Sequence, residues 1–89
     1  MLEQRTAPRE PFMSEILFAM RGKAHQDISR DISVNGIFIE TEANLKAGDT
    51  LTICFEMTRG SPIKVEGEIV RIGQGGVGVR FIQPLSDFH

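Results

Sequence analysis

Apolar side chains recur at every second position along most of the chain from Phe12 onward, and Gly, Asn, Asp or Pro residues interrupt them at short intervals. Alternation with a period of two is typical of strands that bury one face, and we find no convincing helical periodicity. The pattern therefore predicts an antiparallel all-β domain. Because closure removes exposed strand edges, we expect a six-stranded antiparallel β-barrel that is closed or nearly closed (split).

Short turns separate the six predicted strands. Asn35–Gly36 predicts a two-residue type I′ hairpin turn, since both central residues of that turn need positive φ and Asn and Gly tolerate it best. Residues 21–23, 58–62 and 73–76 predict further turns, and residues 42–49 form a longer connection. The predicted strands cover residues 12–20, 24–33, 36–41, 50–57, 63–72 and 77–81.

Length and composition restrict the class of protein. The chain has 89 residues, which suits one small domain, and its 40% apolar and 25% charged residues are typical of a globular protein. The single cysteine, Cys54, excludes an internal disulfide and gives no recognisable zinc spacing. No segment has the pattern of a signal peptide or the length of a membrane span. We therefore expect a soluble, cytoplasmic protein without membrane insertion.

The charge balance argues against a nucleic-acid-binding protein. Ten basic and twelve acidic residues give a net charge of -2, and Trp and Tyr are absent. A binder of single-stranded RNA or DNA needs a basic groove with stacking aromatic side chains, so we expect no DNA or RNA partner. His25 has no partner at catalytic or metal spacing, and the sequence offers no nucleophile–base pair, so we expect neither an enzyme nor a metal site. Any anionic ligand must be held by a local cluster.

The tripeptide Asp-Ile-Ser occurs twice in succession, beginning at Asp27 and again at Asp31. Only the second copy is followed, five residues after its aspartate, by a glycine, Gly36. Along an extended strand, Asp31 and Ser33 point to the same side and can meet one ligand face. Gly36 would let the turn close and a ligand approach the backbone. We therefore assign the ligand to the second copy, which can also serve as a serine turn mimic.

Two spaced motifs give a more specific indication. Arg5 and Arg9 form RxxxR, and Asp31, Ser33 and Gly36 form DxSxxG. In these motifs the sequence resembles the PilZ family of bacterial cyclic di-GMP receptor domains, whose signatures are RxxxR and [D/N]xSxxG. The segments GIFIET, EIVR and GVGVRF are similar to the family's strand after the glycine and to its last two strands. The resemblance covers nearly the whole chain.

The resemblance implies a non-enzymatic receptor with a flexible arm over residues 1–11 and one barrel domain over residues 12–89. The ligand would be cyclic di-GMP, with no other cofactor. A downstream protein partner or fused domain of unknown identity would receive the signal. The implied ligand-binding residues are Arg5, Arg9, Asp31, Ser33 and Gly36, with possible secondary contacts from Arg30, Asn35, Gly78 and Arg80.

The residue types suit this ligand. The planar fork of arginine matches both phosphate oxygens and the O6 and N7 acceptors of guanine. The Asp31 carboxylate can accept hydrogen bonds from guanine N–H groups, which a pure phosphate binder would not need. Binding would order the arm against the barrel and so switch the surface that a partner meets.

Several questions stay open at this level. Arg30 shares the parity of Ile28 and Ile32, so a bulge, a strand end or an outward-reaching stem must keep its charge out of the core. Arg71 is expected to be a solvated strand end. Family members commonly continue into a C-terminal helix, whereas FIQPLSDFH leaves room for barely one turn, so we expect little or no helix. Members without the arginines act as adaptors, and a ligand-free adaptor is the alternative function.

Overall fold

The computed structural model describes residues 10–58 and 60–83, and these residues form antiparallel strands without any helix. Turns or short loops join successive strands, and the longest connection lies between β4 and β5. The strands are β1 (Glu10–Pro11), β2 (Glu15–Met20), β3 (Lys23–Ser33), β4 (Gly36–Glu40), β5 (Thr50–Thr58), β6 (Ser61–Gly73) and β7 (Gly76–Phe81).

The long strand β3 closes the sheet into a barrel. Its first half pairs with β2 and its second half pairs with β4, while the order β3-β2-β5-β6-β7-β4 completes the ring. The predicted six-stranded antiparallel barrel is therefore confirmed. The two-residue strand β1 adds to β3 beyond the end of β2, with Glu10 opposite Ile32 and Pro11 opposite Asp31.

Alternate side chains fill the barrel. Each strand turns one face inward, as the period of two predicts. Every large apolar side chain buried there contributes roughly 1.5 to 3 kcal/mol to the free energy of unfolding. Leu45 from the β4–β5 connection covers part of the interior. The strand residues of the buried core are Ile16, Phe18, Ile32, Ile37, Ile39, Leu51, Ile53, Phe55, Ile69, Val77, Val79 and Phe81.

The predicted type I′ turn at Asn35–Gly36 is wrong. Neither residue has positive φ, and the turn between β3 and β4 is centred on Val34 and Asn35, with Gly36 already paired to Ser33 in β4. Positive φ at both central positions occurs instead at Arg21–Gly22 (φ 54 and 78°) and Gln74–Gly75 (φ 58 and 84°). These are the hairpin turns whose twist matches the flanking strands.

A β-bulge at Arg30 interrupts the alternation of β3. Ser29 lies opposite Ile39 and Asp31 lies opposite Phe38, so Arg30 has no opposing residue. The extra residue reverses which face the following side chains occupy. Ile28 is 45% exposed and Ile32 only 1% exposed, although the two have the same parity in sequence. Of the three explanations left open for Arg30, the structure shows the bulge.

Ser29 points inward before the bulge and forms hydrogen bonds with the segment between β1 and β2. Its side chain is 0% exposed, its hydroxyl donates to the carbonyl oxygen of Phe12, and it accepts a hydrogen bond from the Ser14 N–H (3.1 Å). The Ser29 N–H in turn donates to the Ser14 carbonyl (2.9 Å). These bonds bridge the gap between β1 and β2 and so keep β1 beside Asp31. The first Asp-Ile-Ser copy therefore has a structural role.

Candidate functional site

The two predicted arginines, Arg5 and Arg9, lie outside the described residues. The described chain starts at Glu10, which is covalently bonded to position 9 and lies in β1. Because Pro11 is the pairing partner of Asp31, the described chain begins beside the aspartate of DxSxxG. The last two residues of the predicted arm are thus part of the sheet.

Two rows of outward-facing residues cross the barrel from β3 to β6. Strand pairing aligns Asp31 with Phe38, Phe38 with Gly78, and Gly78 with Arg71. It also aligns Ser33 with Gly36, Gly36 with Arg80, and Arg80 with Glu68. We call this surface the outer wall. Its residues are Arg30, Asp31, Ser33, Gly36, Phe38, Glu68, Arg71, Gly78 and Arg80.

Asp31 and Ser33 share the outer wall as the sequence predicts. They flank Ile32, which belongs to the core, so alternation turns both outward, and Asp31 is half-buried. Ser33 is buried, and its Oγ accepts a hydrogen bond from the Asn35 N–H (3.1 Å). The Asn35 carbonyl accepts from the Phe81 N–H (2.8 Å), which fixes the turn against β7. Ser33 therefore also serves as the serine turn mimic.

Glycine is required at position 36 for a different reason from the predicted one, which was closure of the turn. A Cβ at this position would collide with the carbonyl oxygen of Val79 in β7. Glycine is needed because two strands approach closely, whereas the turn itself requires no positive φ here. Gly36 still leaves the second row without a side chain between Ser33 and Arg80. A ligand could approach the backbone at that point.

Phe38 is a wall residue that sequence reasoning missed. Its neighbours Ile37 and Ile39 belong to the core, yet Phe38 is only 2% exposed on the opposite face. The Arg30 guanidinium carbon lies 4.3 Å from the centroid of its ring and covers it. The signal in the sequence was the absence of polar alternation in GIFI, which is typical of a strand covered on both faces.

Arg30, one of the possible secondary contacts, is anchored on both sides. Its Nε donates to Glu40 Oε2 (2.9 Å), and its Nη2 donates to the Gln74 carbonyl (2.8 Å) at the tip of the β6–β7 hairpin. These bonds hold the guanidinium over Phe38. Arg30 therefore joins the bulge of β3 to the neighbouring hairpin, and its carbon stem and cation form part of the wall.

The remaining secondary candidates also lie on the wall. Arg80 is exposed next to Gly36, and its Nη2 lies 2.6 Å from Glu68 Oε1 in an ion pair. Gly78 leaves the centre of the first row flat between Phe38 and Arg71. Asn35 lies in the turn at the wall's end. The structure thus brings together every described residue of the predicted site.

A surface groove of about 470 Å³ lies elsewhere, between β2, β5 and β6. It is lined by residues such as Leu17, Cys54 and Glu56, and it contains none of the predicted site residues. Among the described residues, no three His, Cys, Asp or Glu side chains form a group that could hold a metal ion. Nor does the described part of the chain contain a helix with the length and apolarity needed to cross a bilayer.

Comparison with solved structures finds similar folds, and three of these proteins are described here. The inhibitor of motility MotI/DgrA from Bacillus subtilis superimposes with a TM-score of 0.81 at 14% identity, covering 96% of this chain and 46% of that one. PlzA from Borreliella burgdorferi, solved in complex with c-di-GMP, gives 0.75 at 16% identity, covering 94% and 37%. The PilZ domain of CeSA from a cellulose-synthesizing bacterium gives 0.68 at 21% identity, covering 85% and 82%.

These likenesses establish the fold, and the chain spans less than half the length of MotI/DgrA and PlzA. A search of curated proteins found no match. The model of the PilZ domain family matches residues 3–87, which is nearly the whole chain and includes both motifs. The barrel, the outer wall and this match lead to one conclusion: the chain belongs to the PilZ domain family.

Proposed function

We propose that this protein is a cytoplasmic, non-enzymatic receptor for cyclic di-GMP. The observation that carries the proposal is the pairing of β1 with β3, in which Pro11 lies opposite Asp31. The described chain therefore begins, directly after RxxxR in sequence, beside the aspartate of DxSxxG, although more than twenty residues separate the two motifs. Such an arrangement suits a ligand that needs arginine donors and a carboxylate acceptor together.

The proposed roles follow from the chemistry of the groups. Arg5 and Arg9 donate to phosphate oxygens and to guanine O6 and N7, while Asp31 accepts from guanine N–H groups. Ser33 and Gly36 form the floor on which the ligand lies, since neither projects far from the wall. Binding orders residues 1–9 over the wall, and the new surface passes the signal to a downstream protein or fused domain.

A ligand-free adaptor is the second candidate. Leu17 is 51% exposed and, by strand register, is a diagonal neighbour of the exposed Ile28 on the outside of β2 and β3. This apolar surface borders the groove near Cys54 and suits a protein partner. The similarity to an inhibitor of motility is compatible with such a role, although it shows only the fold.

Isothermal titration with cyclic di-GMP distinguishes the two candidates. The receptor predicts saturable binding by the parent protein and a loss of at least about tenfold in affinity for Arg9→Ala, because a charge-assisted hydrogen bond contributes roughly 1.5 to 3 kcal/mol. Lys64→Ala removes one positive charge from the exposed part of β6 that pairs with β5, and it should bind like the parent. Absence of binding by a folded parent would instead support the adaptor.

A further inference from the structure

Strands β2 and β5 pair over only part of their length. Their ladder runs from Ala19 opposite Thr52 to Leu17 opposite Cys54 and ends there. Strand β5 continues to Thr58, and within the described part of the chain its residues 56–58 pair only with β6. The side of β5 that faces β2 is therefore an open strand edge over these residues. An edge of this kind can be joined by an extended peptide.

The charges of the two strands explain why the pairing stops at this point. Extending the ladder by two residues would place Glu15 directly opposite Glu56. Directly opposed residues have Cβ atoms about 4.5 to 5.5 Å apart, and like charges at that distance destabilise the pairing. Each carboxylate has a local partner instead, since Glu15 Oε1 accepts from Gln26 Nε2 (3.1 Å) and Glu56 Oε1 accepts from the Gly60 N–H (3.3 Å). Like charge thus disfavours closure of the sheet here.

The groove between β2, β5 and β6 lies in this gap. Its lining includes Ile16 and Phe55, which belong to the core and form an apolar floor. Phe12 packs edge-on against Phe55, with ring centroids 5.8 Å apart. Among the described lining residues, the charged side chains are Glu15 and Glu56, which are both exposed. The groove therefore combines an apolar floor, acidic rims and an open strand edge.

We propose that this groove docks an extended basic segment of a partner protein, which adds to β5 as a further strand. Main-chain hydrogen bonds to the open edge supply affinity, and the alternate side chains supply selectivity. Inward-facing positions of the segment place apolar side chains over Ile16 and Phe55. Outward-facing positions place Lys or Arg beside Glu56 and Glu15. The inference goes beyond the proposed function, because this docking does not require cyclic di-GMP.

Charge selects a basic segment over other occupants. A Lys or Arg side chain between Glu15 and Glu56 replaces their mutual repulsion with two attractions. A second copy of the chain carries a net charge of -2, so it brings like charge to the acidic rims. A nucleic acid strand is repelled for the same reason.

The test titrates the terminally blocked peptide Lys-Val-Lys-Val-Lys-Val into the ¹⁵N-labelled full chain without cyclic di-GMP. One control peptide replaces each lysine with glutamate, and the other is the basic peptide with every backbone nitrogen methylated, which cannot donate to a strand edge. We expect saturable amide shifts centred on Leu17, Cys54 and Glu56 with the basic peptide. Both control peptides should bind at least about tenfold more weakly.

A pair of double variants tests the role of the rims. Glu15→Gln with Glu56→Gln removes both carboxylates but retains their acceptor oxygens, and we expect it to weaken binding of the basic peptide about fivefold. Glu42→Gln with Glu66→Gln removes the same charge from exposed positions outside the groove, so it should bind within about twofold of the parent. Urea unfolding checks that both variants keep the fold.

The outcomes decide the proposal without involving the nucleotide. No binding of the basic peptide, equal binding of either control peptide, or equal weakening in the two double variants would overturn it. Sedimentation equilibrium should show a monomer. A dimer whose amide shifts map to the groove would assign this surface to a second copy and would also overturn the proposal.

Discussion

The two Asp-Ile-Ser copies lie four residues apart on one strand and yet have opposite orientations. In the first copy, Ser29 points into the barrel and Ile28 points out. In the second, Ile32 points in, while Asp31 and Ser33 point out to the wall. A regular strand would place both copies on the same faces, since four is an even number. The bulge at Arg30 makes the difference, so identical tripeptides place their serines on opposite faces, Ser29 in the barrel and Ser33 on the outer wall.

Deleting Arg30 would remove the bulge and with it the opposite orientation of the two copies. Of the changes considered, it should have the largest effect on stability. Without the extra residue, the alternation of β3 becomes regular, and one part of the strand must turn its buried side chains outward. We expect a loss of at least about 3 kcal/mol in the free energy of unfolding, or no folding at all. Urea denaturation measures this.

Arg30→Ala is the matched control because it retains the bulged residue. It loses the bonds to Glu40 and Gln74 and the cover over Phe38, and because these contacts lie near the surface we expect a cost of about 1 kcal/mol. A deletion variant as stable as Arg30→Ala would contradict the role of the bulge.

Substituting each of the two aspartates tests whether only the second copy contacts the ligand. Asp31→Ala should weaken cyclic di-GMP binding about thirtyfold, since a hydrogen bond to a charged group contributes roughly 2 kcal/mol. Asp27→Ala removes the same side chain from the first copy, where its carboxylate accepts from the Thr41 hydroxyl (2.7 Å), and it should bind as the parent does. Isothermal titration measures both, and equal losses would show that the copies are not distinct in function.

Removing the two serine hydroxyls should have smaller effects than deleting Arg30, and here the first copy should matter more than the second. Ser29→Ala should destabilise the fold by about 1 to 2 kcal/mol because its buried hydroxyl bonds both Phe12 and Ser14. Ser33→Ala loses one hydrogen bond from Asn35 and should cost about 0.5 to 1 kcal/mol. Thermal or urea unfolding gives both values. A larger cost for Ser33→Ala would contradict the assignment of the structural role to the first copy.

The sequence predicts the barrel well because alternation reports burial wherever a strand keeps one inner face. The segments around Ile53 and Val79 show this. Alternation cannot locate a bulge, which depends on two residues of one strand facing one residue of its partner, so the orientation of Arg30 was left open. Phe38 was missed because the side chain that covers its outer face, Arg30, is brought over the ring by the bulge in the neighbouring strand β3.

The geometry of the candidate site follows from the sequence only in part. Spaced motifs identify Asp31 and Ser33, and their shared outward face follows from strand geometry alone. The reason for Gly36 could not be read from the sequence, because the obstacle is the Val79 carbonyl of a strand more than forty residues away. The position of Arg71 likewise depends on the register of three pairings between β3 and β6.

We infer that cyclic di-GMP binds on the outer wall beside the second Asp-Ile-Ser copy. Amide chemical shifts of the ¹⁵N-labelled protein, recorded during titration with cyclic di-GMP, test this most directly. The account predicts the largest shifts at Asp31, Ser33 and Gly78, with little change at Asp27 and at Cys54 in the groove. Shifts confined to the groove, or none at saturating ligand, would contradict it.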